Sequence, residues 1–381
     1  MAQSADREKT EPACASPQAA GPRGLRTVLV ARFSAFGDVA MTIPAVYSAC
    51  RCYPGVRFVM LTRPSMTSMF VGAPENLTVV GADLKEKYAG IGGIRRLCAD
   101  MVARFRPDAF VDLHNVLRTK LMAFFLKLDG IPASRLYKPR SRRRALTRAH
   151  NKVMLPLVSQ RARYSEAFFK AGFPLNERFG GLFGAPGKAP SAAYAAISEP
   201  KGTGEKWAGI APYAAHAGKI YPPEMMERVV AAVSGRGDTR IFLFGGAAES
   251  EVLDGWARKY PGVTSLAGKR YGFSAELALM NHLDLMLSMD SANMHLAAIA
   301  GTRTLSVWGA THPYCGFMPW RHNEADIIQL PLGCRPCSVF GDKPCARGDY
   351  QCLRGIEPRT IIDKINGILS SDSGKSADSE L

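Results

Sequence analysis

Two runs of alternating apolar strand and helix, separated by a stretch suited to neither, limit what this chain can fold into. "TVLVARF" from Thr27, "VRFVMLT" from Val56, "LTVVGAD" from Leu77 and "DAFVDLH" from Asp108 read as strands, and a helix from about Val39 to Cys52 falls between the first two. Parallel neighbours need long crossovers, so strands that alternate with helices imply a parallel sheet covered by helices. The stretch "FGAPGKAPSAAYAAISEPKGTGEK" then turns to Pro, Gly, Ala and Ser and reads as a linker. A second alternation follows, with "WAGIAP", "TRIFLFGG", "VTSLAG", "LDLMLSMD" and "TRTLSVWGA" as its strands. The expectation is an α/β chain of two units. Residues 25–183 and 206–368 form the domains, 184–205 the linker, and 1–24 and 369–381 polar, disordered tails.

A chain of 381 residues with 47% hydrophobic composition can supply a core to each of two such units. It contains no run of about 18 apolar residues, so no membrane-spanning helix is expected. The first two dozen residues lack the apolar centre of a signal peptide. With no export signal, the scattered thiols among nine cysteines are expected to be reduced in the cytoplasm. The formal net charge of +16 favours anionic partners. Much of it is concentrated in "SRLYKPRSRRRALTRAHNK", which has no acid. No nucleic-acid recognition motif accompanies it, so nucleic acid is not an expected partner.

Four places carry chemistry-bearing residues. In "VLVARFSAFGDVAMTIPAV" a carboxylate, Asp38, sits where a buried strand hands over to a helix, at the edge where α/β sheets bind ligands. In "SMDSANMHLAAIAGTRTLSVWGATHP" a strand ends at Asp290. Asp290 or Ser291 can cap a helix reaching Ala300, and Gly301 suits its C-cap. The free N–H groups of that helix, beside the small Ser291 and Ala292, make a ready anion site, with His295 one turn in. "APYAAHAGKIYPPEMM" brings His216 and Lys219 to a strand end before a Pro-initiated helix. Gly245 and Gly246 end the strand "FLFGG", where a ligand could approach closely. No G-x-G-x-x-G follows the first strand, which disfavours a dinucleotide dehydrogenase. No D-x-D triplet exists, so a diphosphate held through a metal on paired carboxylates is not expected. Cys334, Cys337, Cys345 and Cys352 leave two readings open: a small structural zinc or iron–sulfur site, or a loop of thiols, free or disulfide-bonded.

The blocks "RFSAFGDVAMTIPA", "APYAAHAGKIYPPEMM" and "SMDSANMHLAAIAGTRTLSVWGATHP", in this order, resemble the heptosyltransferases of glycosyltransferase family 9, from about Thr27 to Ile365. The late cysteines resemble a subgroup from the Bacteroides-type phyla. The chain departs from the family in having Ala292 and Asn293 where a glycine usually follows the Asp-Ser or Asp-Thr pair. The resemblance implies a GT-B fold, two Rossmann-like domains facing across a central cleft. It also implies inverting, metal-independent transfer of heptose from ADP-heptose to the lipopolysaccharide inner core, either Kdo–lipid A or an already heptosylated core. Carried onto this sequence, the base falls on Asp38 and the diphosphate lysine on Lys219. The donor side falls on Asp290, Ser291 and His295, with His216, Gly245, Gly246 and Ala292 beside them. Acceptor-side candidates are Arg32, Ser34, Arg118, Arg142, Arg143 and Arg144. The implied partners are a nucleotide-sugar, a phosphorylated glycolipid acceptor and the anionic inner-membrane leaflet, placing the enzyme in the cytoplasm and peripheral on that membrane. No catalytic cofactor is expected. The rivals are a transferase of another nucleotide-sugar to a glycolipid, and a non-catalytic nucleotide-sugar or lipid-binding protein.

Overall fold

The computed structural model describes residues 24–184 and 187–370, so the two expected tails lie almost wholly outside the described residues. Two compact units emerge. The first comprises residues up to Ser34, Thr42–Lys138 and Arg161–Phe179; the second comprises Ala35–Met41, Pro139–Gln160 and Gly180 onward.

The first unit holds a five-stranded parallel sheet, β1 (Thr27–Ala31), β2 (Arg57–Thr62), β3 (Leu77–Gly81), β4 (Ala109–Asp112) and β5 (Ala133–Arg135), in the order β3-β2-β1-β4-β5. Thr27 to Ala31 pair with Arg57 to Leu61 on one side, and Val28 to Ala31 with Ala109 to Asp112 on the other. Val28, Leu29, Val30 and Ala31 have no exposure, which explains why this strand is an unbroken apolar run rather than an alternating one. The expected helix from Val39 to Cys52 is two helices, α1 (Phe36–Ala40) and α2 (Ile43–Cys52). Pro44 in the first turn of α2 suits a helix start and cannot donate into a continuing helix, so the break falls at Met41 and Thr42. Further along are α3 (Gly90–Phe105), α4 (Leu117–Leu128), α5 (Arg140–Thr147) and α6 (Gln160–Lys170).

The second unit is built on six parallel strands. These are β6 (Lys206–Ala211), β7 (Thr239–Leu243), β8 (Val263–Ser265), β9 (Leu285–Met289), β10 (Thr304–Val307) and β11 (Ile327–Ile328), in the order β11-β10-β9-β6-β7-β8. Its helices are α7 (Pro223–Ser234), α8 (Ser250–Lys259), α9 (Phe273–Met280), α10 (Ala292–Ala300), α11 (Gln351–Arg354) and α12 (Pro358–Ser370). Chain order reverses between β6 and β9, the switch point where the loops at the strands' carboxyl ends part and leave room for a ligand. The core between sheet and helices gathers Ile210, Leu243, Leu287, Val229, Val233, Ile361 and Ile365, all essentially unexposed.

Two assignments differ from the sequence reading. The segment carrying Asp38 and the basic helix α5 both pack with the second unit, although each was expected in the N-terminal domain. In neither case does local pattern decide membership: α1 is five residues long and α5 buries only Leu146.

Loop contacts behind β6 and β10 position the site. The N–H of Ala310 donates to the Gly218 carbonyl at 2.8 Å, and a Cβ on Gly309 would lie 2.5 Å from that same oxygen and 2.6 Å from Leu353 Cγ. Gly309→Ala must therefore push two backbones apart and is expected to cost about 1–3 kcal/mol. Gly255, inside α8 with nothing near a built Cβ, is the opposite case, where alanine is expected to add about 0.4–1 kcal/mol. Thermal melts of the two variants should move in opposite directions; a Gly309→Ala melt at the wild-type temperature would contradict this packing.

Candidate active site

The loops after β6, β7 and β9, together with α1, line one cavity of about 610 Å³. Every expected residue of the catalytic and donor side borders it: Asp38, His216, Lys219, Gly245, Gly246, Asp290, Ser291, Ala292 and His295.

At its base the ammonium of Lys219 lies 2.9 Å from Asp290 Oδ2, with side chains 14% and 3% exposed. The approach is off the line of a hydrogen bond, but the distance is that of a full ion pair. Lys219 belongs to the loop after β6 and Asp290 ends β9, so the pair spans the switch point. Helix α10 begins as expected, with Ser291 extended at its N-cap (φ −141°) and Gly301 left-handed at its C-cap (φ +95°). Its first N–H groups therefore have no intrahelical acceptors and its positive end borders the cavity.

Asp38 stands on α1, where its Oδ2 accepts from the N–H of Ala35 at 3.2 Å. A Cβ on the preceding Gly37 would sit 3.1 Å from His295 Cδ2 and 3.2 Å from Ala292 Cα. The glycine of the "GD" turn thus lets α1 lie directly on the first turn of α10. His295 is buried beneath this contact, 5% exposed, rather than solvated. Burial pushes its imidazole down to about 4 against the opposing pull of Asp290 and Asp38, so it is neutral at physiological pH. Its Nδ1 has no hydrogen-bond partner among the described residues.

The glycine pair after β7 serves packing as much as ligand approach. A Cβ on Gly245 would meet Leu253 Cδ1 at 2.6 Å, and one on Gly246 would meet Glu249 Oε2 at 2.9 Å.

The cavity also holds residues the sequence reading did not single out. Phe36 packs on Phe273 with ring centroids 5.6 Å apart, and Tyr213, Phe317 and Phe340 add further aromatic wall. Glu249 and Glu276 bring the lining carboxylates to four, against one lysine. Burial alone pushes the carboxyl of Glu276 up to about 7. Glu276 is the one charged residue in the short, largely apolar run "FSAELALM", which carries no turn or glycine signal to mark it as part of a site.

The acceptor-side candidates do not border this cavity. Arg32 is 6% exposed and donates through Nη1 to the Leu113 carbonyl at 2.8 Å, tying β1 to the segment after β4. Ser34 Oγ lies 3.3 Å from His114 Nε2. Arg118 is exposed on α4. In the basic run, Arg142 and Arg144 are exposed, whereas Arg143 is half-buried over the rings of Phe317 and Phe340, at 5.8 and 5.4 Å. Lys152 is tied to the carbonyls of Cys334 and Pro336 at 2.7 and 2.8 Å.

Among the described residues no three His, Cys, Asp or Glu side chains are placed to hold a metal ion. Zinc–thiolate bonds of about 2.3 Å require sulfurs converging on one point. Here Cys337 Sγ lies 3.7 Å from the Ala310 carbonyl and Cys345 Sγ lies 3.9 Å from Asp349, while the thiol of Cys352, pushed up to about 11 by burial, still feels Cys334, Cys337 and Cys345.

Residues 106–345, more than half of the chain, match the family model described as glycosyltransferase family 9 (heptosyltransferase), and the chain belongs to that family. Lipooligosaccharide heptosyltransferase 2 of Campylobacter jejuni is 28% identical over 88 residues, 23% of this chain and 26% of that protein. The chain thus spans about a quarter of the length of this curated relative. Among solved structures, the glycosyl transferase family 9 protein of Veillonella parvula superposes with a TM-score of 0.67 at 16% identity, covering 90% of this chain and 97% of that one. The ADP-heptose lps heptosyltransferase II of Escherichia coli gives 0.64 at 15% identity, covering 91% and 98%. These likenesses establish the fold as GT-B: two parallel α/β units, each flanked by helices.

Glu276 supplies a test of the site's electrostatics. Its folded pKa lies above the ordinary 4.5, so the native state holds the proton more tightly than the unfolded chain. Stability therefore falls as pH rises from about 4.5 to about 7 and is level above that. Glu276→Gln should melt progressively higher than the parent across that window, with the gap constant at higher pH. Parallel melting curves of the two proteins from pH 5 to 8 would contradict the burial of this carboxyl.

Proposed function

We propose that the protein is an inverting glycosyltransferase that moves heptose from ADP-heptose to the lipopolysaccharide inner core, with Asp38 as general base. The observation that carries this reading is the meeting of Asp38, Lys219 and the N-terminus of α10 around a single cavity. Family membership supports the reaction class. The Escherichia coli structural relative, named for ADP-heptose and lipopolysaccharide, supports the donor and the acceptor.

In this reading the diphosphate lies against the start of α10 and Lys219. Asp290 fixes the lysine through one edge and leaves its other N–H bonds for phosphate oxygens. The acceptor hydroxyl attacks the anomeric carbon from the face opposite the diphosphate. As the new C–O bond forms, the hydroxyl proton passes to the carboxylate of Asp38. The bond from the anomeric carbon to the phosphate oxygen breaks, and its electron pair leaves with the diphosphate. Negative charge grows on that oxygen, where the ammonium and helix N–H groups are already aimed. Glu249 and Glu276 suit hydroxyl-rich parts of the donor, because carboxyl groups accept from sugar hydroxyls and a protonated Glu276 can also donate. The reaction so drawn needs no divalent metal, since the positive groups come from the chain. The exposed arginines Arg142 and Arg144 suit phosphates of the acceptor or the anionic leaflet, and we place the enzyme at the cytoplasmic face of that membrane.

Asp38→Asn preserves shape and removes basicity. Turnover should fall about 10²–10⁴-fold while donor affinity holds; near-normal turnover in a transfer assay would remove Asp38 from this role. Lys219→Ala should weaken donor binding by calorimetry and slow transfer together, with arginine restoring part of both. The paired variant Lys219→Ala, Asp290→Asn separates this effect from the cost of stranding a buried carboxylate. If the pair recovers stability but not activity, the lysine acts on the donor; if it recovers both, its role is structural. Activity should also survive EDTA, and its loss with rescue by Mg²⁺ or Mn²⁺ would refute the metal-free reading.

A further inference from the structure

Helix α4 has two apolar faces and one core. Thr119, Met122, Ala123 and Leu126, spaced i, i+3, i+4 and i+7, are buried against the first unit. On the opposite side Leu117, Phe124 and Leu128, at i, i+7 and i+11, are 76%, 55% and 70% exposed, with Leu121 half-buried in line with them. A solvent-facing helix surface is ordinarily polar. This one presents leucine and phenylalanine to water along its whole length, about 18 Å for a helix of this size. Exposed Arg118 flanks the stripe on one side, and exposed Lys120 and Lys127 flank it on the other. No acid occurs between Leu117 and Leu128; the first is Asp129, at the C-cap.

We propose that the outward face of α4 docks on an anionic lipid bilayer, lying in the plane of the interface with Leu117, Phe124 and Leu128 inserted and the flanking cations at the headgroups. An apolar stripe bordered on both sides by basic residues is the chemistry of an interfacial helix. The charge is complementary to an anionic leaflet, and against a second copy of the same face it would be repulsive. The basic helix α5 lacks such a stripe, since its exposed residues are arginines and serine.

The test is co-sedimentation of the full chain with vesicles of phosphatidylglycerol and phosphatidylethanolamine, against vesicles of neutral phosphatidylcholine alone. Wild type should bind the anionic vesicles and not the neutral ones. Leu117→Ser, Phe124→Ser, Leu128→Ser together should lower partitioning at least about tenfold at all salt concentrations, since burying each such side chain is worth more than a small fraction of that. Lys120→Gln, Lys127→Gln should lower it by about fivefold per charge at low salt and little at high salt. All these positions are exposed, and circular dichroism melts verify that the variants fold. Equal binding by wild type and the apolar variant overturns the proposal. So does a fall in oligomeric state of the apolar variant by sedimentation velocity with vesicle binding unchanged, which would assign the face to a second copy. The readout is independent of sugar transfer, so failure of the proposed reaction would leave this result standing, and the reverse.

Discussion

The ion pair between Lys219 and Asp290 is the contact on which the second unit's ligand edge depends. Asp290 is almost wholly withdrawn from water, and a buried carboxylate without a counter-charge is among the costliest features a fold can carry, about 3–5 kcal/mol when one partner is removed. The pair resolves that cost by drawing the loop after β6 to the end of β9. The same loop is fixed from behind by the Ala310 to Gly218 hydrogen bond. Strand order reverses at this place, so the pair holds together two loops that the sheet by itself would let diverge.

Around that pair the chemistry divides by charge. The positive groups, Lys219 and the start of α10, are clustered about Asp290, and the three other carboxylates, Asp38, Glu249 and Glu276, also border the cavity. Gly37 has no side chain to hold α1 away from Ala292 and His295, so Asp38 can stand beside the helix end. His295, neutral and buried under the junction, fills space there without adding charge.

Much of this was legible in the sequence, because the signals are local. The strands announced themselves as apolar runs, since parallel strands covered on both faces carry no alternation. The helix from Ala292 to Ala300 was readable from Ser291 and Gly301, whose caps have the expected backbone conformations. What was not legible is tertiary. Residues 35–41 lie next to β1 in sequence yet pack with the other unit, and the break at Met41 and Thr42 interrupts a continuous helical pattern. Glu276 is the single charge in a short, largely apolar helix, and burial among its neighbours is what raises its pKa. The four late cysteines have metal-like spacing in the sequence and lie within electrostatic reach of one another, yet no three of them are placed to hold a metal ion among the described residues. Arg143 and Lys152 read as members of one basic run turned toward an anionic partner, whereas one lies over aromatic rings and the other is tied to carbonyls of the cysteine loop.

The central claim is that this cavity transfers a sugar with inversion. The direct measurement is incubation of the purified protein with ADP-heptose and lipopolysaccharide core lacking the terminal heptose, followed by mass spectrometry and NMR of the product. The account predicts an added heptose whose anomeric configuration is opposite to that of the donor. An unmodified acceptor, or a product that keeps the donor's configuration, would contradict it.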